Sequence, residues 1–83
     1  MEELYMDVAM NLLYDMRLRI EGAVELYEND AAPLRRLALE NDFLTAAAAF
    51  DTICSALYAL RQNVRDLHAA HIKESVRQSR LLK

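Results

Sequence analysis

The chain has 83 residues, 54% hydrophobic and 28% charged, with a net charge of −3. That composition excludes a disordered tail and limits the chain to one domain, whose small core is of the kind often completed by self-association. One glycine, one proline and one cysteine, Cys54, exclude a turn-rich β-fold and an internal disulfide framework. No apolar run approaches the roughly 20 residues of a membrane span. The opening Met-Glu-Glu-Leu-Tyr-Met-Asp has neither a basic region nor a secretory cleavage pattern. A soluble, cytoplasmic protein without membrane association is expected.

Helix 1 is predicted over about residues 2–28, with Glu2 and Glu3 where a helix N-terminus favours negative charge. Its seam is Met6, Met10, Leu13, Ile20, Val24 and Tyr27, interrupted by Arg17. Leu4, Val8, Tyr14 and Leu18 are apolar as well and lie outside that seam. A helix apolar around most of its circumference needs more than one neighbour, which a two-helix hairpin cannot supply. Glu21, Glu25 and Glu28 read as a solvated face, and Gly22 as a place for close backbone approach or a slight bend.

Asn29-Asp30 followed by Pro33 predicts a turn at about 29–32. Helix 2 then extends from about 33 to 80, with a weak point at Asn41-Asp42 that the reading carries through as helix. Its strongest feature is a run at alternating steps of three and four: Phe43, Ala46, Phe50, Ile53, Leu57, Leu60, Val64, Leu67 and His71. Folding about residue 31 sets Leu13–Met16 against Ala46–Ala49. It also leaves 62–83 as an overhang about 30 Å long with an uncovered apolar stripe. Without Gly or Pro between residues 60 and 75, a fold-back near Gln62 is the least favoured remedy. The expectation is an all-α antiparallel helical hairpin with a long second helix, dimerising into a four-helix-bundle or coiled-coil-like assembly through Leu57, Leu60, Val64, Leu67 and His71.

The chemistry-bearing residues converge on nothing catalytic. His68 and His71, with Asp66 and Glu74 nearby, lack the three or four convergent ligands of a metal site. His71 reads as the seam histidine and His68 as its flank, and protonation of His71 at a two-fold interface would weaken a dimer near pH 6. Cys54 has Phe50, Asp51, Leu57 and Tyr58 as helical neighbours and no activating base, so it reads as a small hydrophobe. Met6, Met10 and Met16 read as core filling.

Two surfaces remain. Tyr14 and Leu18, an i, i+4 pair off the seam, are candidate contacts for a second protein. Lys73, Arg77, Arg80 and Lys83 form a basic strip that could follow phosphates, although cations also meet the dipole of a helix C-terminus. Residues 1–50 carry ten acids and four bases, and residues 51–83 three acids and six bases. Such halves suit an antiparallel pairing or two solvated faces. The expected function is a non-enzymatic, cofactor-free protein-interaction module, an adaptor, small chaperone or inhibitor acting as a homodimer with a second protein partner. A nucleic-acid-associated regulator is the alternative.

Overall fold

From Glu2 the backbone stays helical to Glu40, past the expected turn. The computed structural model describes residues 2–81, as α1 (Glu2–Leu26), a π-helical turn (Tyr27–Ala31), α2 (Ala32–Glu40) and α3 (Leu44–Leu81). Angles at Leu26 (−58°, −43°), Ala31 (−83°, −36°) and Ala32 (−59°, −41°) are all right-handed helical, so the chain does not reverse at 29–32. The physical reason lies at Pro33, which has no N–H and whose ring collides with the carbonyl four residues back in a regular helix. Widening the preceding turn, with the Ala32 N–H bonded to the Tyr27 carbonyl five residues back, absorbs the proline without breaking the arm. Pro33 does sit in the first turn of α2, the position it favours.

The reversal comes instead at Asn41–Phe43. Asn41 caps α2, its side-chain amide donating to the Leu37 carbonyl at 2.8 Å. Asp42 enters the left-handed region at φ 60°. The Phe43 N–H then bonds to the Ala38 carbonyl at 2.8 Å and the Asp42 N–H to the Leu39 carbonyl at 3.2 Å. This is the paired closure of a Schellman motif, with aspartate where glycine is usual. The Phe43 carbonyl accepts from the Ala47 N–H and starts α3. Since a left-handed conformation costs an L-residue about 1 kcal/mol or more, Asp42→Gly is expected to raise stability by about 1 kcal/mol. A thermal melt would show this as a gain of several degrees, and an unchanged or lower midpoint would mean that the carboxylate stabilises the turn itself.

Turning at residue 42 rather than 31 changes the register of everything downstream. α3 has 38 residues, about 57 Å of helix, and runs antiparallel beside an arm of matching length; the whole measures 63 × 17 × 15 Å. The overhang is therefore corrected: Arg65 bonds Glu21, His68 meets Arg17, and His71 meets Tyr5. Ala46–Ala49 lie near the turn, where Ala47 and Ala38 are both buried, rather than against Leu13–Met16. α3 continues unbroken through Gln62.

On α1 the core follows the expected seam: Met6, Leu13, Ile20, Val24 and Tyr27 are buried, with Met10 and Arg17 half-buried. On α3 it does not. Inward positions are Ala47, Phe50, Cys54, Leu57, Arg61, Val64, His68 and His71, again at steps of three and four. Only Phe50, Leu57, Val64 and His71 belong to the expected stripe, whose other members point away. His68, 6% exposed, is the buried histidine, and His71 is half-buried beside it. Gly22 has open space where a Cβ would stand, so no backbone approaches it within the chain.

Candidate functional site

The two long edges of the hairpin differ in chemistry. One is a polar ladder in which Arg35 pairs with Asp51, Glu28 with Tyr58, and Glu21 with Arg65. Each rung lies one heptad from the next along both arms. Glu21 also lies 3.8 Å from Arg61, whose guanidinium stands 4.8 Å over the Tyr58 ring. Glu21 and Glu28 thus face the partner helix instead of being simply solvated. These ion pairs are more than a third exposed on at least one side, so each contributes at most about 1 kcal/mol, and together they specify alignment more than they add stability.

Tyr58 has its hydroxyl donating to Glu28 Oε1, and that bond, helped by partial burial, raises its pKa above the ordinary 10.0. The stabilisation is fully present below pH 10 and is lost as pH rises through the raised value. Tyr58→Phe is accordingly expected to remove a late-ionising phenol from an alkaline titration followed by tyrosinate absorbance. Loss of a phenol with an ordinary midpoint would show that the bond to Glu28 does not persist in solution. Tyr27 is also raised, first by burial and then by the neighbouring Cys54 thiol; its hydroxyl donates to the Phe50 carbonyl at 2.9 Å and pins the arms together. Cys54 is half-buried there.

The opposite edge is apolar. Near the open end a groove is lined by Tyr5, Val8, Ala9, Leu12, Leu67 and His71. Nearer the turn another is lined by Ala46, Ala49, Phe50 and Ile53. Between them α3 presents Ala46, Ala49, Ile53, Ala56, Leu60, Asn63, Leu67 and Ala70, every one exposed. The large members, Ile53, Leu60 and Leu67, are 48–49% exposed. α1 shows on the same side Tyr5, Leu12, Met16 and Leu26, exposed among half-buried Ala9 and Ala23 and interrupted by Arg19. His71 closes one end: its Nδ1–H donates to the Leu67 carbonyl at 2.9 Å, which leaves Nε2 of the neutral ring to accept from the Tyr5 hydroxyl at 3.0 Å.

The residues expected to self-associate therefore separate. Leu60 and Leu67 lie on this open edge, Leu57 and His71 on the border, and Val64, 4% exposed, inside the hairpin. Tyr14 and Leu18 are exposed away from the apolar edge; the heptad of Glu21 and Glu28 carries Tyr14 to the polar side. Lys73, Arg77 and Arg80 are exposed near the end of α3, while Lys83 lies outside the described residues. Arg77 bonds Glu74 on its own helix, and this contact holds the Glu74 carboxyl below its usual range. Among the described residues no group of three or more His, Cys, Asp or Glu side chains could hold a metal ion, and no helix is long and apolar enough to cross a membrane.

Sequence reasoning missed the polar ladder altogether. Its rungs share a seven-residue spacing on each arm, but only the register shows which spacing meets which. Comparison of the chain with known proteins finds no matching protein-family model, curated protein or solved structure.

Proposed function

We propose that this chain is a non-enzymatic protein-interaction module that works through its helix surfaces as a homodimer, serving as an adaptor, small chaperone or inhibitor of another protein. The observation that carries this reading is the apolar edge. It gathers large side chains from both arms on one side of the hairpin, whereas scattered exposed apolar residues would need no explanation. The seam chemistry supports the same reading. Of the polar groups that face inward, Arg17 and His68 are bound to each other, Arg61 to Glu21 and His71 to Tyr5. On this reading the apolar edge serves self-association, and Tyr14 with Leu18, on another side, serves the second protein.

Light scattering on a sizing column across a hundredfold concentration range tests the proposal. A mass of twice 9.5 kDa over most of that range is expected. A monomer with full helical circular dichroism at every concentration would overturn it.

A further inference from the structure

We infer that the surface covering the apolar edge is the same edge of a second copy, laid antiparallel so that α3 packs on α3, with the two-fold axis crossing α3 between Ala56 and Leu60. This rests on the homodimer reading and adds the pairing geometry to it.

The chain exposes 6448 Å², whereas a compact monomer of 9.5 kDa would expose about 5,000 Å². The excess, about 1,400 Å² per chain, corresponds to about 2,800 Å² for a pair, within the range of obligate homodimers. At about 100° per residue, the exposed stripe on each arm lies roughly a quarter-turn from the intrachain seam, and both stripes fall on one side. In a four-helix bundle each helix meets two neighbours at about that angle.

Shape decides the orientation. From Ala49 to Ala70 a large residue alternates with a small or short one along the α3 stripe. An antiparallel α3 pair about the stated axis sets Ala49 against Leu67 of the partner subunit, Ala56 against Leu60, and Asn63 against Ile53. The end layers join Ala46 to Ala70. Every large side chain then meets a small or short one, the condition for close interdigitation. A slip of one heptad sets Ala46 and Ala49 against Arg77 and Glu74, or Leu67 and Ala70 against Asp42 and Leu39. A parallel pair stacks Leu60 on Leu60 and Ala56 on Ala56, and the α1 stripe offers no such alternation, being interrupted by Arg19. Charge agrees: Asp66 and Lys73 flank the stripe, and antiparallel packing carries Lys73 toward the partner's Asp42 while a parallel pair sets like on like.

Disulfide trapping tests this in a Cys54→Ser background. A disulfide requires Cα atoms within about 7 Å. Ala49→Cys and Leu67→Cys chains refolded together are expected to give a cross-linked dimer, while each alone gives none, because like positions stand about 27 Å apart. Cross-linking of either variant alone would overturn the antiparallel arrangement. A dimeric mass with no cross-link in the mixture would overturn this interface and leave the homodimer standing. A monomeric mass for the unmodified chain would overturn both. Should Leu67→Cys fail to fold, spin labels on Ala49→Cys decide orientation: a separation near 27 Å is expected, and one below about 10 Å would overturn it.

Discussion

Val64→Asp is expected to abolish the cooperative helical fold at every protein concentration, whereas Leu60→Asp, one turn earlier on α3, is expected to remove only the part of stability that grows with concentration. The two residues belong to the same apolar stripe in the sequence. They differ in direction: Val64 is 4% exposed inside the hairpin and Leu60 is 48% exposed on its open edge. Val64 faces a core only one helix thick on each side, in which no large side chain among the described residues is fully buried. A carboxylate there would be cut off from water beside Arg61 and His68, which are already bonded to Glu21 and Arg17, at a cost of several kcal/mol. A chain of this size has about 5–10 kcal/mol to lose at most. At Leu60 the aspartate stays solvated in a single hairpin, and its intrinsic cost is about 0.5 kcal/mol. In the proposed dimer the larger effect comes by mass action, because a second copy that binds only folded chain would add stability in proportion to its occupancy. Circular dichroism melts at high and low concentration measure both. Equal damage from the two substitutions in dilute solution would show that the open edge belongs to the hairpin core.

The second large effect concerns the polar layer of the seam. Arg17 is half-buried and its Nη1 lies 3.2 Å from Nδ1 of His68. A guanidinium only donates, so His68 accepts at Nδ1 and carries its proton on Nε2. No buried side-chain nitrogen or oxygen among the described residues lacks a partner, so this layer is satisfied as it stands. Arg17→Leu is expected to cost about 1–3 kcal/mol, because it leaves the buried acceptor unpaired. Arg17→Leu with His68→Leu is expected to recover that loss and exceed the parent, since an apolar layer of similar volume avoids desolvating a charge. A double-mutant cycle by urea denaturation checks both, and strict additivity would show that the two side chains are not coupled. The stabilised double variant is further expected to lose uniqueness of alignment, seen as mixed oligomers on a sizing column. A polar layer that matches in only one register is what stops two apolar seams from sliding by a heptad.

The same layer explains why α3 was harder to read than α1. On α1 the longest three-and-four pattern of apolar residues, Met6 to Tyr27, is the one the structure turns inward, with Met10 and Arg17 half-buried. On α3 two patterns share Phe50, Leu57, Val64 and His71. One is completed by Ile53, Leu60 and Leu67, the other by Cys54, Arg61 and His68. Hydrophobicity favours the first, but the fold turns the second inward, because Arg61 and His68 find Glu21 and Arg17 opposite them.

Local chemistry determined a good deal unaided: an all-helical chain, the buried face of α1, the continuity of α3, and a surplus of apolar surface. These depend on spacing and composition within one segment. The place of the turn did not follow, because Pro33 reads as a break until one turn of π-helix absorbs it, and Asn41-Asp42 becomes the reversal only when Asp42 takes a left-handed conformation stabilised by Ala38 and Leu39. The polar ladder and the identity of the outward edge of α3 had to wait for the turn. Moving the reversal from residue 31 to residue 42 changes every pairing between the arms, and only the tertiary register settles which of two equally periodic faces is spent inside the chain and which is left for another.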